Sequence, residues 1–151
     1  INSKEVTMEN KLKCTDLRIG NYVNYENRPF EVIEISPISL VVRKKIGDIF
    51  EMQHRALDVA QPIELTEELL VKIGFEDRKG YFNYSRVFGD DGDYCDSIYI
   101  YYCPRLKHFK FTHNIVENLD MQTMDLYNIK YLHQLQNAYY CLTNQELEIE
   151  L

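Results

Sequence analysis

Residues Asn128 to Leu151, NIKYLHQLQNAYYCLTNQELEIEL, decide how the rest of the chain is read. Leu132, Leu135, Tyr139 and Leu142 recur at steps of three, four and three, which draws one apolar stripe along a helix. Asn128 is an Asx residue able to cap a first turn, and Tyr127 and Leu132 have the spacing of a hydrophobic staple. His133, Gln136, Asn137 and Tyr140 fall on a different face. Asn144 is expected to stop the helix in the left-handed C′ position, where Asn is the usual substitute for Gly. Beyond it the period changes to two. Glu146, Glu148 and Glu150 alternate with Leu147, Ile149 and Leu151, the pattern of a short charged edge strand. Thr143 and Glu146 could instead form a capping box for another turn, but the strict alternation favours the strand.

Upstream, a second helix is well marked. Thr66 is its N-cap, and Glu67 and Glu68 complement the dipole of its first turn. Leu65 and Leu70 have staple spacing, and Gly74 followed by Phe75 closes it in a Schellman turn. The capped start explains the carboxylates Glu64, Glu67 and Glu68 without any acid–base chemistry.

Before this hinge helix the chain reads as short strands joined by turns. Gly20 to Tyr25, Phe30 to Ile35, Ile38 to Lys45 and Ile49 to Met52 are strands, with a fifth short piece at Leu57 to Val59. Asn27-Arg28-Pro29, Ser36-Pro37 and Ile46-Gly47-Asp48 interrupt them. Strands with no helix between them predict an antiparallel meander that curls on itself in an SH3-like manner. After the hinge, Tyr81 to Tyr84, Ser97 to Cys103 and Leu106 to His113 read as strands, with another short strand or turn around Asp120 to Leu126. Gly89 to Asp93 is a turn, since the ligand spacing of a calcium loop is missing. Both faces of Ser97 to Cys103 are apolar or aromatic, so Tyr99 and Tyr101 are either centrally buried or an exposed contact surface. His108 and His113 fall on opposite faces and cannot form a metal pair on one strand.

A chain of 151 residues with 45% hydrophobic and 27% charged residues is an ordinary globular composition. At this length folding buries roughly 70% of the chain's surface, so no staple is needed. The fold class expected is α+β. Residues 1–13 are set apart as a flexible or extraneous segment, polar and unlike a signal peptide. Residues 14–65 form the curled lobe, and 66–151 an α+β lobe sharing its core. The four cysteines show no Cys-x-x-Cys spacing and read as reduced thiols. No apolar run is long enough to span a bilayer.

Nucleotide-binding, zinc-protease and serine-hydrolase motifs are missing from the sequence, and Cys141 lies two helical turns from His133. The expectation is a non-catalytic protein with no cofactor and no metal site. The formal charge of −7 disfavours general attachment to a phosphate backbone and suits a basic protein surface. The basic run Arg43-Lys44-Lys45 is the candidate nucleic-acid contact. Tyr99, Tyr101, His133, Gln136 and Asn137 are the candidate partner-binding residues.

Three blocks carry a resemblance: Leu17-Arg18-Ile19-Gly20-Asn21-Tyr22-Val23, Pro62 to Leu70 with Gly74-Phe75, and Tyr131-Leu132-His133-Gln134-Leu135-Gln136-Asn137. In this order and spacing, from about Leu17 to Glu148, the chain resembles a family of short uncharacterised proteins of phages and prophages of Bacteroidetes. The family commonly has Gly where this chain has Asn144. The resemblance implies a setting, the cytoplasm of a bacterial host. In that setting a small acidic protein without catalytic motifs is expected to bind and inhibit a host protein, a nucleic-acid-guided antiviral effector such as a CRISPR-type ribonucleoprotein. The alternative is a nucleic-acid-binding accessory module of a phage or prophage.

Overall fold

The computed structural model describes residues 11–77, 84–88, 98–103, 105–115 and 120–151. It is an α+β protein, with two antiparallel sheets and two α-helices among the described residues. β1 (Tyr22–Tyr25), β2 (Arg28–Ile35), β3 (Ser39–Ile46) and β4 (Ile49–Ala56) form a meander in that order. α1 (Glu67–Lys72) follows. β5 (Glu76–Asp77), β6 (Tyr84–Phe88), β7 (Ile98–Cys103), β8 (His108–Ile115) and β9 (Asp120–Leu126) form a second meander, and α2 (Leu132–Thr143) closes the chain. The chain divides into two compact units. One is Ile1–Glu64 with Tyr131–Leu147, the other Leu65–Lys130 with Glu148–Leu151. The closing helix therefore goes with the first sheet, although a boundary at residue 65 had left it with the second.

In the first unit, alternate side chains of the meander make the core. Val23, Tyr25, Phe30, Val32, Leu40 and Val42 are all buried. The β1–β2 turn is Glu26-Asn27, with both residues left-handed (φ 53° and 61°), and not Asn27-Arg28-Pro29. Two positive φ values match the twist of a two-residue hairpin loop, and Asn tolerates them. Pro29 sits inside β2 opposite Asn24, on an outer strand pair that a proline can enter. β4, whose expected beginning is Ile49 to Met52, runs on to Ala56, and Leu57–Val59 is a 3-10 turn rather than a fifth strand. Tyr25 Oη donates to the Ala56 carbonyl at 3.0 Å, and burial pushes its hydroxyl up to about 12.

In the second unit α1 behaves as its sequence predicts. Thr66 Oγ1 accepts from Leu69 N at 3.2 Å, Gly74 has φ 93°, and Phe75 N bonds back to Leu70 O at 2.9 Å. β7 is the middle strand of its sheet, with Ile100 and Tyr102 fully buried. Tyr102 Oη donates to the Ile129 carbonyl at 2.7 Å, which gives the buried hydroxyl its partner.

α2 differs from expectation at its start. Asn128 does not cap it. Asn128 is left-handed (φ 66°) in the approach, and the N-cap is Tyr131. The helix is delayed because the backbone first bridges to the segment before α1. Glu64 pairs with Tyr131, and Leu132 N bonds Ile63 O at 2.8 Å. Gln134 Oε1 then reaches back to accept from the N-cap's own amide, Tyr131 N, at 3.0 Å. Tyr127 stacks on His108, ring centroids 4.2 Å apart. The stop is as expected, with Asn144 left-handed at φ 56° and its N–H on the Tyr140 carbonyl.

The expected edge strand at Glu146–Leu151 is absent: residues 145–151 form no strand. The alternation has another cause. Glu146 turns to the guanidinium of Arg18, while Leu147 is buried. The alternating residues anchor a tail side chain by side chain, without a ladder.

Candidate functional site

Each candidate residue can be placed from its element. Gln136 lies on α2 beside Leu135 and is 1% exposed. Its Oε1 accepts from Tyr22 N at 3.0 Å and its Nε2 donates to Gly20 O at 2.9 Å. The amide thus completes the backbone bonding at the entry to β1. Asn137 does similar work one residue on. Its Oδ1 accepts from Asn21 Nδ2 at 2.8 Å, and its Nδ2 donates to the Asp16 carbonyl at 3.2 Å. The expectation that Gln136 and Asn137 offer amides to a partner is corrected here. A buried amide such as that of Gln136 leaves water only when bonded internally, and the half-buried Asn137 likewise has both amide atoms bonded within the chain.

His133 is 4% exposed, with its ring parallel to that of Tyr131, centroids 5.8 Å apart. Among the described residues its buried Nδ1 has no hydrogen-bond partner. It borders a small cleft of about 240 Å³ with Leu12, Asp16 and Pro62. Burial pushes the imidazole below its ordinary value, and the nearby Asp16 carboxylate offsets part of that. It is therefore corrected from a surface contact to a neutral packing residue. A stability prediction follows. A histidine whose folded pKa lies below its unfolded one leaves the unfolded chain holding more protons. Its contribution is complete above the unfolded value of about 6.5 and is lost as pH falls through and below it. His133→Phe keeps the stack and removes the titration. Urea unfolding at about pH 7.5 and about pH 5.5 is expected to show a smaller acid loss in this variant than in the parent. Equal losses would show that His133 does not carry the effect.

Tyr101 is half-buried on β7, and the side chain of Tyr99 lies outside the described residues. The acidic loop Gly89 to Asp93 and Tyr81 to Asn83 also lie outside them.

On β8, His108 Nε2 and Asp125 Oδ1 are 3.0 Å apart, and the register sets Cys103 opposite His108. The types Cys, His and Asp are those of a thiol hydrolase. Here the Tyr127 ring covers the imidazole and Cys103 is buried, so the cluster presents no open thiol to a substrate. Among the described residues no group of three or more His, Cys, Asp or Glu could hold a metal ion. No described helix is long and apolar enough to cross a membrane.

The basic run sits on β3. Arg43 is held by Glu31 through two bonds, Nε to Oε2 at 2.7 Å and Nη2 to Oε1 at 3.1 Å. Its guanidinium also covers the Phe50 ring at 4.5 Å, and Lys44 Nζ lies 5.9 Å from the Phe30 centroid. Arg43 is thus neutralised within the sheet, and Lys45 is the exposed cation of the three.

Opposite that run lies a feature the sequence reading passed over. The β3–β4 hairpin turns through Gly47-Asp48, and around it Ile46, Ile49, Phe50 and Met52 are exposed at 50%, 69%, 52% and 62%. Ile49 points to one face of the strand, Phe50 and Met52 to the other, and all three stay exposed even though the Arg43 guanidinium lies over the Phe50 ring. The signal was legible: Ile49-Phe50-Glu51-Met52 is apolar at both parities yet sits at the end of a meander. Apolar side chains clustered in this way mark contact surfaces. The hairpin holds Arg43, Lys44, Lys45 and Arg55 against Asp48 and Glu51, in a chain of charge −7. No family model, curated protein or solved structure matches the chain.

Proposed function

We propose that this chain is a non-catalytic binding protein of phage type that attaches to a host protein and blocks it. The target class is a nucleic-acid-guided antiviral effector in the bacterial cytoplasm. The exposed tip of the β3–β4 hairpin carries the reading. Ile46 and Ile49 flank its turn with Lys44 and Lys45 beside them, a combination that fits an apolar slot with an acidic rim. The closure of Tyr25 on Ala56 supports an SH3-like curl of the meander, which holds the hairpin base rigid. A rigid base lowers the ordering cost of docking the tip.

The double substitution Ile46→Asp with Ile49→Asp tests it. Both side chains are exposed, so the fold is expected to survive with a loss of about 1 kcal/mol from setting two carboxylates on directly paired positions. Retention of a host effector from nuclease-treated lysate is expected to fall by roughly thirtyfold, the effect of losing a hot spot of about 2 kcal/mol. Undiminished retention of that effector by the folded double variant would remove the tip from the interface. Loss of every partner on nuclease treatment of the parent would favour the nucleic-acid module, with Lys45 as the first residue to change.

A further inference from the structure

We propose that the chain self-associates through β4, two copies pairing antiparallel edge to edge about a two-fold axis at Met52. This goes beyond the reading above and does not depend on it, since it uses Phe50 to His54 and leaves Ile46 and Ile49 at the two ends.

β4 is the last strand of its sheet and has eight residues. Sheet edges that stay single are normally blunted by proline, bulges, short length or inward charges. β4 contains no proline, and its register against β3 is unbroken from Ser39–Ala56 to Ile46–Ile49. Its first four residues are exposed on both faces.

The hairpin fixes which backbone groups are available. A two-residue loop makes Ile46 and Ile49 a hydrogen-bonded pair, and such pairs alternate along the ladder. Residues 51, 53 and 55 therefore bond inward to β3, while 50, 52, 54 and 56 turn their N–H and C=O outward. The Ala56 carbonyl agrees with this alternation, because it accepts the Tyr25 hydroxyl on that outer side.

Only registers that pair outward residues with outward residues can form, and three bring most of the edge together. Centring the axis between Phe50 and Met52 sets Glu51 against Glu51 of the second copy, and like charges directly opposite are unfavourable. Centring it on Gln53 calls on Ala56, where Tyr25 already lies. Centring it on Met52 avoids both. Phe50 then meets His54 of the second copy on one face, and Met52 meets its own counterpart. On the other face Glu51 meets Gln53, repeating a contact already made within β4, where Gln53 Nε2 donates to Glu51 Oε1 at 2.9 Å. Antiparallel pairing sends the hairpin tips to opposite ends, which keeps Lys44 and Lys45 apart from those of the second copy.

Sedimentation of the purified chain over a concentration series tests this, with Met52→Pro and Met52→Lys alongside. The parent is expected to approach twice its 18.0 kDa mass. Met52→Pro removes an outward N–H and no inward bond, so it should fold and stay at the protomer mass. Met52→Lys should do the same by charge, and circular dichroism checks both folds. In a Cys141→Ser background, Met52→Cys should form a disulfide-linked dimer on mild oxidation. Facing Cα atoms in such a pair lie about 5.5 Å apart, within disulfide reach. Glu51→Cys, offset diagonally from its counterpart by more than about 7 Å, should not. Protomer mass at every concentration, a dimer that survives Met52→Pro, or equal cross-linking at residues 51 and 52 would each overturn the proposal.

Discussion

Replacing Gln136 with Leu is expected to lower folding stability by about 3 kcal/mol. Leu fills much the same volume and suits a helix, so neither packing nor propensity predicts the loss. It comes from the backbone. Tyr22 N and Gly20 O lose the amide that satisfies them, at 3.0 and 2.9 Å, in a place where Gln136 itself is 1% exposed. Each orphaned group costs about 1–3 kcal/mol when water cannot reach it. Gln136→Glu separates the two bonds. It keeps an acceptor for Tyr22 N but sets a carboxylate against the Gly20 carbonyl, so it is expected to be at least as damaging at neutral pH and to recover on acidification. Urea unfolding measures both. A loss below about 0.5 kcal/mol for Gln136→Leu is the result for an exposed partner contact, and it would restore the surface role first read from the sequence.

The element types were legible because their signals are local. Thr66, Gly74 and Phe75 define α1 through neighbours within one turn, and Asn144 ends α2 the same way. The two meanders follow from strands separated only by turns. What failed depended on distant partners. Nothing near Asn128 says that Ile63 and Glu64 will hold the backbone extended until Leu132. Nothing near Glu146 says that Arg18 will claim it, so the period of two there was read as a ladder. Arg43-Lys44-Lys45 looks like a cationic patch until Glu31, twelve residues earlier, takes Arg43.

Position on α2 says more about Gln136 than its polar type does. Leu132, Leu135, Gln136 and Tyr139 stand at i, i+3, i+4 and i+7, the full set of a core-facing stripe. Position alone places Gln136 inside, and its amide then predicts an internal hydrogen bond. The hairpin shows the converse. Phe50 and Met52 are apolar in a strand, yet each keeps more than half of its surface exposed, with only the Arg43 guanidinium over the Phe50 ring among the described residues.

Leu135→Ala is expected to cost about 3 kcal/mol, the range for a buried Leu cut to Ala being about 2–5 kcal/mol. Leu135 is fully buried at the centre of the α2 stripe, between Leu132 and Tyr139, which are buried too. A rigid neighbourhood collapses little into the space left, and the cavity term adds to the lost transfer energy. The loss should equal that of Gln136→Leu in size but differ in kind. Leu135→Ala leaves the bonds to Tyr22 and Gly20 in place, so hydrogen exchange at the Tyr22 amide under native conditions should stay slow relative to global unfolding. Gln136→Leu should release that amide locally. The double variant adds a coupling test. Adjacent buried positions on one helix usually couple by about 0.5 kcal/mol or more. If the two losses add within error and the Tyr22 amide is equally protected in both variants, the helix is docked by its apolar stripe alone. The polar contact to β1 would then be incidental. If that amide is released only in Gln136→Leu, the stripe holds α2 against the sheet while the amide sets where β1 begins.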